Sequence, residues 1–173
     1  MRDTFGLAVM KDELERDEAC VLHAYKEPGV GWAIGVGRNL DTQGISQAER
    51  SELGITEAML VRAGSGVWND PSIPNTITRE QAMGLLDFDI QDRVHQLDVR
   101  IPWWRLLSPP RQRSLINMAF ERGTSGLLKG EPEFMAYLQA GLFDAAAERL
   151  AMSGWAKRVP KRAARIVEAI RNG

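Results

Sequence analysis

The chain has 173 residues, 44% of them hydrophobic and 26% charged, with a single cysteine, Cys20. That balance excludes a disordered or collagen-like chain and any internal disulfide, so the fold rests on packing alone. The net charge of −1 hides a split: residues 1–99 carry 9 Lys and Arg against 17 Asp and Glu (−8), and residues 100–173 carry 13 against 6 (+7).

No apolar run approaches the roughly 20 residues of a membrane helix, so no membrane partner is expected. The apolar stretch from Phe5 to Met10 is broken by Lys11, Asp12 and Glu13, too soon for a signal peptide, and no export signal is expected. Leu7, Met10 and Leu14 recur at helical spacing, Val21 prolongs the stripe, and the spacing predicts an N-terminal helix. Glu18, eleven residues after Leu7, falls about 20° from it around such a helix. A carboxylate therefore projects from the apolar side at the last turn. From Tyr25 to Leu40, Pro28, Gly29, Gly31, Gly35 and Gly37 forbid a helix, while Trp32, Ile34 and Val36 alternate as on a half-covered strand. A glycine-rich hairpin or small sheet is expected there.

Helix signals dominate the remainder. Ser46 with Glu49, and Thr78 with Gln81, are capping-box patterns. The second opens a long amphipathic helix through Met83, Leu86, Ile90, Val94 and Leu97, and residues 64–75 read as a surface loop before it. Pro102 ends that helix, with one further turn over 103–107, and Pro109–Pro110 start another through Arg113, Leu115, Ile116 and Phe120. Further helices are expected over 132–140 and 144–152. Pro160 opens the last, with Ala163, Ile166, Val167 and Ile170 on one face and Arg158, Lys161, Arg162 and Arg165 on another. The expected class is α+β, mostly helical, with one small sheet near the start.

Several chemistries lack their residues. His23 and His95 stand alone and Cys20 has no partner at ligand spacing, so neither a metal nor a cofactor is expected. Ser125, in Gly-Thr-Ser-Gly, lacks the setting of a nucleophile elbow, and the glycines from Gly29 to Gly37 are not spaced as a dinucleotide loop. The basic last helix has no interleaved aromatic residues and no groove-reading motif, so no nucleic-acid partner is expected. Carboxylates remain. Glu18 at a helix end and Glu27, nine residues on in a glycine-rich turn, could face one cleft. Glycoside hydrolysis needs such a pair, one to protonate the leaving oxygen and one to activate water or attack carbon. A carboxyl on an apolar stripe tends to keep its proton, and one on a polar turn stays ionised.

The order of residues carries more. Asp17-Glu18, Ala24-Tyr25-Lys26-Glu27 and the run Gly31-Trp32-Ala33-Ile34-Gly35-Val36-Gly37-Arg38-Asn39-Leu40 together resemble the N-terminal signature of bacteriophage-type lysozymes, glycoside hydrolase family 24. The stretch from Ile116 to Gly123 is similar to that family's central helix and cleft-lining turn. Trp155 with Lys157, Val159, Arg162 and Ala163 is similar to its C-terminal segment. The resemblance covers the chain in order, apart from an extra stretch around 41–77.

The resemblance implies a two-lobed fold: a small lobe over about 20–77, a linking helix over about 78–98, and a helical lobe of 1–19 with 99–173. It implies a muramidase acting on peptidoglycan glycan strands at the β-1,4 bond between N-acetylmuramic acid and N-acetylglucosamine. The general acid falls on Glu18. The family's aspartate position holds Glu27, and its threonine position holds Ala33. Glu27 reaches farther by one C–C bond, about 1.5 Å, and is expected to fill the space that Ala33 leaves. Arg162 and Arg165 are the matching partners for Asp17 and Glu18, while Phe120, Gly37 and Asn39 are expected along the sugar path. The alternative is a cleavage-deficient glycan-binding or structural module of a phage particle. The chain is expected as a monomer or as a domain of a particle protein, acting on the wall after release from the host cytoplasm or from the virion.

Overall fold

A computed structural model describes residues 3–27, 29–60, 62–65 and 72–173, with the backbone alone for 62–65. The chain divides into two compact units, Lys11–Asp89 and Met1–Met10 with Ile90–Gly173. The class is α+β and mostly helical. The chain begins with α1 (Leu7–Glu18), β1 (Val21–Glu27), β2 (Gly31–Gly35), β3 (Arg38–Asn39), α2 (Gln47–Leu53) and β4 (Arg62–Ser65). It continues with α3 (Arg79–Arg100), α4 (Pro109–Arg122), α5 (Thr124–Gly130), α6 (Pro132–Gln139), α7 (Phe143–Ala151), α8 (Gly154–Arg158) and α9 (Pro160–Asn172).

Asp3 opens the chain's first helical turn by accepting from the amides of Gly6 and Leu7 at 2.8 Å each. Those hydrogen bonds, led by that from Leu7, hold its carboxyl below the usual range. The helix stops at Glu18 because Ala19 turns left-handed, with φ of 63°, and its amide bonds back to Glu15 at 2.9 Å. This overturns the expectation that Val21 extends the helical stripe: Val21 is the first residue of β1. Alanine in that conformation carries strain that glycine would not.

The sheet runs β3-β2-β1-β4. β1 and β2 pair antiparallel, as do β2 and β3, and β4 lies parallel to β1. The surface loop read over 64–75 is thus corrected at its start, since Gly64 and Ser65 belong to β4; residues 66–71 lie outside the described residues. One sheet face packs Ala24 and Ile34 into a core with Ile55, Ile77, Ala82 and Leu85. Leu40, Ile45, Leu53, Met59 and Leu60 pack on the same cluster, so the extra stretch supplies much of this unit's core. Both expected capping boxes are present. Ser46 Oγ accepts from Glu49 N at 3.2 Å while Glu49 accepts from Ser46 N at 2.7 Å, and Thr78 and Gln81 repeat the exchange.

Arg38 is deeply buried in this unit, 2% exposed. Its guanidinium donates to Asp89 at 3.0 Å, Glu49 at 2.8 Å, Gly44 O at 3.0 Å and Leu85 O at 3.1 Å, and Gln43 also donates to Asp89. Burial alone would pull the Arg38 pKa down; the hydrogen bond it donates to Glu49 and the charge of Asp89 outweigh that and raise the pKa.

In the other unit, α4 buries Leu115, Ile116, Met118 and Ala119. It packs against α9, where Ala163, Ile166 and Ile170 are buried. Arg111 ties the two: it stacks on the Phe143 ring at 3.6 Å and donates to the terminal carbonyls of Ile170 (2.8 Å) and Arg171 (3.1 Å). Arg162 departs from its expected exposed face. It is buried and donates to Asn117 Oδ1 at 2.6 Å and Asn117 O at 3.0 Å, whereas Arg158, Lys161 and Arg165 are exposed. Among the described residues, no helix is long and apolar enough to cross a membrane.

Two stability outcomes are expected in urea denaturation. Arg38→Met strands a buried Asp89 and should cost about 3–5 kcal/mol, much of it recovered in Arg38→Met/Asp89→Leu. Ala19→Gly relieves the left-handed strain and should stabilise by about 0.5–1 kcal/mol, after allowing for glycine's larger unfolded-state entropy.

Candidate active site

The left-handed turn at Ala19 leaves Glu18 as the last residue of α1, half-buried, where the chain reverses into β1. Its Oε2 lies 3.5 Å from where a Cβ on Gly37 would stand. Gly37, at φ of 71°, takes the left-handed conformation that the β2–β3 turn needs where it passes the Glu18 carboxylate. Arg38, the next residue, anchors that turn. Asp17 has a side chain 1% exposed, with Arg16 Nε at 3.4 Å.

Glu27 ends β1, half-buried, opposite Gly31 across the hairpin. Its backbone oxygen accepts from Val30 N at 3.1 Å and closes the turn. Alternation along β1 puts Glu27 on the face of Tyr25, which forms a small buried cluster with Val21 and Ala33. The register places Tyr25, not Glu27, opposite Ala33. Tyr25 and Ala33 pack together in that buried cluster, with Glu27 on the same face one pair along.

Tyr25 joins the two glutamates electrostatically. It is 2% exposed, and its phenol pKa is pushed up to about 12, by burial first and then by the negative charges of Glu27 and Glu18. Both carboxylates therefore act on one buried hydroxyl, which stays protonated and remains a hydrogen-bond donor throughout the neutral range.

Of the other expected site residues, Asn39 lies in the same unit and Phe120, Arg162 and Arg165 in the other. The Asn39 side chain fastens the turn region: its Oδ1 accepts from Asp41 N and Thr42 N at 2.9 Å each, and its Nδ2 donates to Val30 O at 3.1 Å. Phe120 is half-buried on α4, and Arg165 lies exposed on α9. Asp41 escaped sequence reasoning. Its Oδ2 accepts from Trp32 N at 2.9 Å and sits where a Gly31 side chain would stand, so only glycine fits there. Nothing in the spacing of Asp41 announces this. Tyr25 did carry a signal, standing two residues before Glu27 on an alternating strand.

Among the described residues, no group of three or more His, Cys, Asp or Glu is placed to hold a metal ion. The available chemistry is that of two carboxylates and a neutral phenol.

No protein-family model matches the chain. It is similar to the pre-baseplate central spike protein Gp5 of Enterobacteria phage T4, 28% identical over 169 residues, which is 95% of this chain and 28% of that protein. The chain thus spans little more than a quarter of the length of this curated relative. The likeness is to a component of a phage particle.

Alkaline titration should report on the site. With an ordinary value of 10.0 when unfolded and about 12 when folded, Tyr25 gives up its proton first in the unfolded chain. Its contribution is intact below pH 10 and is lost as pH rises through 12. About 3 kcal/mol should disappear over that window, and Tyr25→Phe should abolish the loss in pH-dependent denaturation.

Proposed function

We propose that the protein is a lysozyme-type glycosidase of a phage particle, which hydrolyses the β-1,4 bond between N-acetylmuramic acid and N-acetylglucosamine in peptidoglycan. The observation that carries this reading is that Glu18, at the end of α1, and Glu27, at the end of β1, are both half-buried and both raise the pKa of the buried Tyr25 phenol by their charge. The order of motifs along the chain and the likeness to a phage spike protein support it.

In this reading Glu18 is the general acid. It gives its proton to the glycosidic oxygen as the bond from that oxygen to the sugar's anomeric carbon breaks. Glu27 takes a proton from the water that attacks that carbon. The leaving sugar departs as an alcohol, and proton return from Glu27 to Glu18 through solvent resets the pair. Gly37 and the turn held by Asn39 would meet the sugar beside Glu18.

The test is incubation with purified peptidoglycan and mass spectrometry of the released fragments. The wild-type protein should release muropeptides, and Glu18→Gln should lower turnover by about a thousandfold. Turnover by Glu18→Gln at the wild-type rate would remove Glu18 from the acid role. Retention on peptidoglycan without any release would make the protein a glycan-binding module of the particle instead.

A further inference from the structure

The stretch between β3 and α3 holds a groove that the proposed reaction does not use. α2 forms one wall. Gln47, Arg50, Ser51 and Gly54 recur at the spacing of one helix face, and that face is polar where a packed helix would carry an apolar stripe. At Gly54 the chain turns left-handed, with φ of 65°, and the amides of Gly54 and Ile55 both bond back to Arg50 O. The reversal seats Ile55 in the core of this unit, 3% exposed, and sets Thr56 and Glu57 as the facing wall. Arg50 Nη1 meets Glu57 Oε2 at 2.5 Å. Gln81 of α3 holds the turn from behind, donating to Leu53 O at 3.0 Å and Gly54 O at 3.4 Å. The cavity so formed has a volume of about 390 Å³, in the range of small-molecule sites. Beside Gly54 it is open, since a Cβ there would meet nothing within 4 Å.

We propose that this groove is a second glycan-binding site, which takes a neutral, N-acetylated sugar segment of the polymer. The lining selects the ligand class. Arg50 and Glu57 cancel in charge. An anion would meet the Glu57 carboxylate and the carbonyl end of α2, and a cation would meet the Arg50 guanidinium. The walls offer donors from Arg50, acceptors from Glu57, and both from Gln47, Ser51 and Thr56. Sugar hydroxyls and acetamido groups are donors and acceptors set close together, and they answer such a mixed set. A wholly apolar ligand would strip those groups of water without replacing its hydrogen bonds. Because Ile55 and Gln81 already fix the walls, binding needs little reordering.

This inference rests on the proposed glycosidase reading for its choice of a glycan, and the experiment keeps the two apart. The tetramer of N-acetylglucosamine is titrated into the isotope-labelled wild-type protein and followed by NMR. The amides of Ser51, Gly54, Thr56 and Glu57 should shift and saturate. Ser51→Trp, which fills the groove from an exposed helix position, and Arg50→Ala should each weaken that binding about tenfold or more. Glu52→Ala, on the same helix but outside the groove, should leave it unchanged. Absence of shifts at the groove amides overturns the proposal, and so does wild-type affinity in Arg50→Ala and Ser51→Trp.

Inorganic phosphate is the second probe. Groove amides that respond to phosphate and not to the tetramer overturn the proposal. Muropeptide release by the wild-type protein is scored independently. Groove binding without release supports this site and overturns the glycosidase reading; release without groove binding overturns this site and leaves that reading standing.

Discussion

The buried guanidinium of Arg38 is the constraint on which the rest of the Lys11–Asp89 unit depends. A cation this deep is tolerated only because two carboxylates and two backbone carbonyls surround it. Those partners come from four places: the loop after β3, the first turn of α2, and two points on α3. One side chain thereby pins a two-residue strand that could not hold itself, and with it the glycine against which Glu18 rests. The geometry beside the candidate acid descends from charge satisfaction some distance behind it.

A second layer of control lies in the hairpin. Glycines let the hairpin turns take left-handed conformations, at Gly37 beside Glu18, and at Gly31 the Asp41 carboxylate claims the place of a side chain. The sheet presents two different faces. One is sealed by aliphatic residues from α3 and the 41–77 stretch. The other gathers Tyr25, Ala33 and Glu27, where polar atoms lie close to buried surface and their electrostatics are strengthened.

Much of this architecture was legible in the sequence because it depends on local rules. Capping boxes, prolines at helix starts and the 3.6-residue stripe of α3 act within a few residues, and each marks its element. The short helices α5 and α8 and the strand β4 were not legible, since a few residues without an amphipathic period carry no local signature. The end of α1 was hidden for another reason: alanine in a left-handed conformation is a tertiary outcome, and nothing in Glu18-Ala19-Cys20 forbids a further turn. Glu18 and Glu27 stand out in the sequence by type and order. The strand register that puts Tyr25 across from Ala33 does not, because a bulge between Val21 and Tyr25 shifts the pairing in a way that alternation cannot reveal. Arg162 shows the same limit, an arginine that reads as solvated and is in fact buried on Asn117.

The parallel pairing of β4 with β1 has a bearing on how such a chain can be shortened. β4 lies within the 41–77 stretch and covers the open edge of β1. Excising that stretch to make a minimal domain would bare a row of unsatisfied amides and carbonyls along β1, beside an apolar face stripped of Ile55 and Ile77. Exposed edges of this kind recruit strands from other molecules. The 41–77 stretch thus acts as a guard against self-association, and a trimmed version would trade compactness for colloidal instability.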